Sequence, residues 1–153
     1  MKQLFLRPSH ISDLDAIMEV EVASFMPALA FSKEKMQNDL ISWPGWVAIF
    51  EKKIIGYLIL ELALPLDVTP HLNWSRISSV AVHPSARKLG VGRALVEAAL
   101  AHLKLAEIKS CLLEVEALNI PAIRLYESLG FRMVKFLPKW YEDGSDAYRM
   151  GVS

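Results

Sequence analysis

The stretch Val80-Ala81-Val82-His83-Pro84-Ser85-Ala86-Arg87-Lys88-Leu89-Gly90-Val91-Gly92-Arg93 changes character twice within a few residues. Its β-branched start predicts a strand over 76–82, and His83-Pro84 ends that strand because a residue before proline is confined to extended conformations. From Gly92 to about Ala106, the apolar residues Leu95, Ala98, Ala99 and Leu103 recur at helical spacing and predict an amphipathic helix. A strand therefore runs through a loop with two glycines and three cationic residues straight into a helix. Glycine lets backbone N–H groups turn toward a bound group, and a helix N-terminus adds partial positive charge, which suits a pyrophosphate. Arg87, Lys88 and Arg93 would add to that field. The pattern lacks the third glycine of a dinucleotide fingerprint and the Gly-Lys-Ser/Thr of a Walker loop, so a plain surface turn stays open on these residues alone.

Outward from this stretch, the chain alternates helix and strand signals. Toward the N-terminus, Leu4 to Arg7 reads as a strand, and Ser12 with Asp15 three places on reads as a helix N-cap. Leu14, Ile17, Met18, Val22 and Phe25 then mark a first helix. A second helix starts at Ser32, carries Met36, Leu40 and Ile41, and stops before Trp43-Pro44-Gly45. The segments 46–50 and 54–62, parted by Glu51-Lys52-Lys53, predict an antiparallel hairpin. Residues 64–74, with Pro65 and Pro70, read as a loop. Toward the C-terminus, a strand is expected over 109–116, and a helix opens at Asn119 or Ile120 and runs through Ile123, Leu125 and Leu129 to a Gly130 cap. Two strands follow, near 131–137 and 147–152. Repeats, low-complexity tracts and linkers are absent, so a single α/β (α+β) domain over 1–153 is expected.

Composition narrows the function classes. Among 153 residues, 53% are hydrophobic and 22% charged, which argues for a filled core rather than disorder. The 17 Lys plus Arg balance 17 Asp plus Glu, so the broad basic field of a nucleic-acid binder is missing. The most apolar run, 54–66, is broken by Glu61 and Pro65 and is too short to span a bilayer. Arg7 and Pro8 interrupt the Leu4-Phe5-Leu6 run, so no secretory signal is read, and the cytoplasm is the simplest address. The lone Cys111, beside Leu112 and Leu113, is expected as a buried free thiol. His71, His83 and His102 lack metal-ligand spacing and His10 stands apart, so no metal is expected.

Three segments resemble a known superfamily. Arg87-x-x-Gly90-x-Gly92 behind Val80-Ala81-Val82-His83-Pro84 resembles the coenzyme A pyrophosphate loop of the GCN5-related N-acetyltransferases (GNAT). Leu113-Glu114-Val115-x-x-x-Asn119-x-x-Ala122-Ile123-x-Leu125-Tyr126-Glu127-Ser128-Leu129-Gly130-Phe131 is similar to the bacterial ribosomal-protein-alanine acetyltransferases. Pro138-Lys139-Trp140-Tyr141-x-Asp143-Gly144-x-Asp146-Ala147-Tyr148-x-Met150 is similar to the catalytic subunits of archaeal and eukaryotic N-terminal acetyltransferases. The resemblance spans nearly the whole chain. It implies the GNAT fold, a central mixed, mostly antiparallel sheet of six to seven strands flanked by about four helices. It also implies acetyl-coenzyme A as donor and a primary amine as acceptor, a protein N-terminus first, with a ribosomal protein and ribosome association in scope. A small amine, a lysine side chain, and a non-catalytic acyl-coenzyme A-binding module remain open. The chain departs from the pattern where Pro27 is followed by Ala28 and Leu29 rather than an acid, and at Leu118 and Trp140.

Site residues follow from both sources. Glu114 is the candidate base, directly or through water, because Leu112, Leu113 and Val115 would desolvate it; Glu116, on the same face, is the reserve. Tyr126 resembles the family tyrosine facing the thioester sulfur. Its reference pKa near 10 exceeds a thiol's near 8.5, so hydrogen bonding to developing thiolate charge is preferred to full proton transfer. The resemblance implies cofactor contacts from Val80, Ala81 and Val82, from the turn Arg87, Lys88, Leu89, Gly90, Val91, Gly92 and Arg93, and from Asn119, which could equally cap its helix. It implies acceptor contacts from Phe31, Trp140 and Tyr141.

Overall fold

The computed structural model describes residues 3–25, 30–62 and 74–153. Pro27, Ala28, Leu29, His71 and most of the expected 64–74 loop lie outside them. The elements run β1 (Phe5–Pro8), α1 (Leu14–Ser24), α2 (Lys33–Ser42), β2 (Gly45–Phe50), β3 (Lys53–Leu62), β4 (Trp74–Val82), α3 (Val91–Leu105), β5 (Ser110–Glu116), α4 (Ile120–Ser128), β6 (Arg132–Leu137) and β7 (Ala147–Val152). The strands form one sheet in the order β1-β2-β3-β4-β5-β7-β6, antiparallel except where β5 joins β4. The expected mixed, mostly antiparallel sheet with four flanking helices is the observed architecture.

Both faces of the sheet centre are covered, which explains the apolar run from Ile54 to Leu60 of β3. Tyr57 and Ile59 face Ile17, Val20, Met36 and Leu40 of α1 and α2. Leu58 and Leu60 face Val91, Leu95, Val96 and Ala99 of α3. On β5 the sides alternate: Cys111, Leu113 and Val115 are buried in the α3 and α4 core, whereas Leu112, Glu114 and Glu116 point the other way. Glu114 is therefore not flanked by Leu113 and Val115 as expected, since neighbours along a strand project to opposite faces.

Two irregularities shape the region between β4 and β5. The register slips between Ile59↔Ser79 and Leu60↔Ile77, leaving Ser78 as an extra residue that bends β4. Pairing of β4 with β5 covers only Trp74↔Ser110 to Arg76↔Leu112. Beyond Arg76 and Leu112 the strand ends are unpaired with each other, and a cavity of about 150 Å³ opens between them.

Three local expectations are corrected. The N-terminal cap is His10 rather than Ser12: the His10 ring accepts the Ser12 N–H and Asp13 accepts the His10 N–H at 2.8 Å, starting a short 3₁₀ turn over Ile11–Asp13. Arg7 fixes Asp13 there with two hydrogen bonds of 2.9 and 2.8 Å, while Asp15 pairs with Lys33. On α1, Ile17 is buried with Leu14, Met18 and Phe25 packed against the same core as expected, Val20 and Glu21 join them, and Val22 is instead 65% exposed. On α2, Met36 and Leu40 turn inward one helical turn apart, which leaves Ile41 67% exposed.

Candidate active site

The cavity lies where the two central strands part. Its β4 wall is Ile77 to Val80, its β5 wall Leu113 to Glu116, and Tyr126, Asn119, Tyr141, Phe31, Phe25 and Glu21 complete it. Expected site residues from four separate elements thus meet in one place. Trp140 lies outside this lining, 44% exposed on the loop between β6 and β7.

The strand edge and the following turn suit a long polar ligand. His83 N–H donates to Ile55 O, so by antiparallel alternation the backbone of Ala81 is committed to β3 and that of Val80 and Val82 faces the parting strands. The Val82 carbonyl already accepts from Ser24 Oγ at 3.2 Å and Arg87 Nε at 3.4 Å. Next, Lys88 and Gly90 adopt left-handed backbone, φ +70° and +77°, and Gly90 is the N-cap of α3. A Cβ on Gly90 would meet nothing within 4 Å, so the glycine is needed for its conformation and leaves open space above the turn. A Cβ on Gly92 would lie 3.3 Å from Leu125, so this glycine lets α3 approach α4. Arg87, Lys88 and Leu89 are exposed, while Val91 is buried and can offer only its backbone. Arg93 turns to Ser128 Oγ at 2.5 Å and Glu97 at 3.8 Å. An exposed turn of amide hydrogens at a helix start, continuous with an open strand edge, fits the diphosphate and amide-rich arm of coenzyme A.

The side chains at the cavity floor are charged and phenolic. Glu114, 11% exposed, accepts from Arg76 at 3.1 Å and from Arg149 at 3.0 Å. Two guanidinium groups, rather than apolar neighbours, set its surroundings. Arg76 also reaches Glu61 at 3.3 Å, and its buried Nε has no partner among the described residues. Tyr126 is 8% exposed, stacked edge-on to Phe131, and its hydroxyl finds no partner among the described residues. Burial, helped by Tyr141, pushes that hydroxyl up to about 12. Tyr141 is likewise pushed up to about 12 by burial and by Glu114, Glu116 and Asp143. Asn119 Oδ1 accepts the Ala122 N–H at 3.3 Å, so Asn119 caps α4 while its side chain borders the cavity.

Three groups that sequence reading passed over belong here. Glu21, 1% exposed, accepts Phe31 N–H at 2.8 Å and Tyr57 Oη–H at 2.5 Å, and Tyr57 Oη also meets Ser79 Oγ. Burial raises its carboxyl above the usual range, opposed by those two donors. An acid one helical turn after Ile17, on the same stripe, was the available signal. Arg76 and Arg149, each inside an apolar strand, were signals of the same kind.

Residues 14–131 match the acetyltransferase (GNAT) family. An N-alpha-acetyltransferase of Sulfolobus acidocaldarius is 36% identical, covering 96% of this chain and 90% of its own. The Escherichia coli ribosomal-protein-S18-alanine N-acetyltransferase has a TM-score of 0.85 at 25% identity, covering 98% of this chain and 93% of its own. Arabidopsis thaliana NAA60, solved with acetyl-coenzyme A, shares the fold at a TM-score of 0.86 and 21% identity, covering 97% of each chain. The chain belongs to the acetyltransferase (GNAT) family and is an acetyl-coenzyme A-dependent N-acetyltransferase.

Proposed function

We propose that this enzyme acetylates the N-terminal α-amine of proteins, with a ribosomal protein among the acceptors to be tried. The observation that carries the reading is the end-to-end likeness to an N-alpha-acetyltransferase over 96% of the chain. The site chemistry supports it. An α-amine, with a pKa of about 7.7–8.0, is substantially neutral near pH 7.4, whereas a lysine amine near 10.4 is neutral in only about one part in a thousand. A base held by two guanidinium groups suits the less demanding amine.

Bound acetyl-coenzyme A supplies an acetyl group activated as a thioester. The backbone at 88–92 and at Val80 and Val82 holds and orients it. Glu114 accepts the proton of the incoming amine through a water, because Arg76 and Arg149 occupy one hydrogen-bonding position on each carboxylate oxygen and leave others. Tyr126 keeps its own proton: giving it fully to a thiolate of pKa about 8.5 from a hydroxyl near 12 is uphill by about 5 kcal/mol. Its Oη–H acts by hydrogen bonding where negative charge develops. Phe31 and Tyr141 line the acceptor's path, with Trp140 at its rim.

Mass spectrometry of a peptide panel with varied first residues, alongside free polyamines and Nα-blocked lysine peptides, tests the reading. Acetylation on α-amines supports it. Modification confined to the polyamines or to lysine overturns it.

A further inference from the structure

A row of charges crosses the sheet on the face opposite α3. Glu61 on β3 pairs in register with Arg76 on β4, and Glu114 on β5 pairs in register with Arg149 on β7. Arg76 is the last β4 residue paired with β5, so its 3.1 Å contact to Glu114 spans the point where the strands part. Arg149 grips Glu114 from the other side through Nε at 3.0 Å, and its guanidinium carbon lies 5.5 Å from the centre of the Trp140 ring. That is within the reach of about 6 Å for a cation over an aromatic face. On β6 the register neighbour of Arg149 is Lys135, which offers no competing anion.

We propose that Arg149 is a positioning residue that sets the Glu114 carboxylate and the Trp140 ring in one geometry, so that the proton-accepting group and the acceptor-side loop are aligned together. It rests on the reading that Glu114 and Trp140 serve the acceptor amine. The planar guanidinium does both tasks at once, its Nε–H bonding the carboxylate while its delocalised charge lies over the indole, a pairing that a compact lysine ammonium does not reproduce. Without Arg149, Glu114 keeps only Arg76 among the described residues, from the β4 side, and Trp140 loses the cation over its ring.

Arg149→Met, Arg149→Lys and Trp140→Leu are compared by steady-state kinetics and by acrylamide quenching of tryptophan emission. Misplacement on the scale of an ångström costs up to about a hundredfold in rate. Arg149→Met is accordingly expected to lower kcat/KM for the acceptor about tenfold to a hundredfold, through both a lower kcat and a raised acceptor KM, with the KM for acetyl-coenzyme A unmoved. Quenching increases with Arg149→Met and with Arg149→Lys, and the increase vanishes in the Trp140→Leu background. Arg149→Lys restores turnover at saturating acceptor but not the acceptor KM. Where Arg149→Met fails to fold, Arg149→Lys carries the test. Wild-type acceptor KM and wild-type quenching in the folded variants overturn the proposal, as does an equal rise in the KM of both substrates. The quenching comparison needs no acceptor, so it separates failure here from failure of the α-amine reading. Normal turnover in Glu114→Gln removes the base assignment and overturns the proposal with it, whatever the quenching shows.

Discussion

Replacing Tyr126 with Phe removes one buried oxygen and keeps the ring. The ring packs edge-on against Phe131 with centroids 5.9 Å apart, and the hydroxyl has no partner among the described residues. Folding stability is therefore expected to change by less than about 1 kcal/mol, because no hydrogen bond among the described residues is lost. Turnover is a different matter. A hydrogen bond to a charged group contributes about 1.5–3 kcal/mol. At 1.36 kcal/mol per tenfold, kcat should fall by roughly tenfold to 150-fold. Because burial pushes the hydroxyl to about 12, the wild-type tyrosine stays protonated throughout the working range and adds no inflection to the kcat profile between pH 7 and pH 10. The assay is thiol release followed with a disulfide reagent, at saturating acetyl-coenzyme A and acceptor, in quench mode below pH 7, with thermal melts of both proteins. A Tyr126→Phe enzyme within about twofold of wild type would falsify the hydrogen-bond role, and a tenfold loss accompanied by a collapsed melt would assign the residue to packing instead.

Four further outcomes are expected. Glu114→Gln lowers kcat for a peptide α-amine, and more so below pH 7.5 where more of the amine carries its proton; a pH-independent loss argues for a packing role. Gly90→Ala costs about 1–2 kcal/mol in urea unfolding because alanine is strained in left-handed backbone, and Gly90→Asn costs less; equal stability of all three contradicts the geometry. Arg7 and the His10 N–H hold the Asp13 carboxyl below its usual range, so Asp13 contributes stability above the unfolded value of about 3.9 that is lost as pH falls through the lower folded value. Asp13→Asn should thus destabilise at pH 7 and converge on wild type in acid, and a gap that persists in acid speaks against the pair. Burial raises the Glu21 carboxyl, so its contribution is full below the unfolded value of about 4.3 and is lost as pH rises through the higher folded value. Glu21→Gln should therefore gain on wild type in thermal midpoint between pH 4 and pH 8, and a constant difference would remove the burial argument.

Most of this architecture is legible in residue patterns because both periods are strong here. The hairpin around Glu51-Lys52-Lys53, the Ser32 cap of α2 and the Gly90 and Gly130 turns all follow from local chemistry. Local chemistry also accounts for the misses. His10 could be preferred to Ser12 as a cap only with Arg7 known to occupy Asp13. On α1 only Val22 departs from the expected stripe, and Glu21 takes an inward place unread because a buried glutamate does not look like a core residue until Tyr57 and Phe31 are seen to satisfy it. On sequence alone Glu114 has an apolar setting, because its partners Arg76 and Arg149 lie 38 and 35 residues away, and no periodicity reports a contact across strands. The cavity residues themselves were accessible in advance largely through the resemblance, since a strand followed by a glycine turn does not by itself name a ligand.

The central claim is that acetyl-coenzyme A lies along the open edge of β4 and over the turn at the start of α3. Backbone amide NMR of the ¹⁵N-labelled protein titrated with coenzyme A tests it most directly. The largest shifts are expected at the amides of residues 88–92, with Val80 and Val82 next and Ala81 little moved. Shifts concentrated elsewhere, or none at saturating coenzyme A, would contradict it.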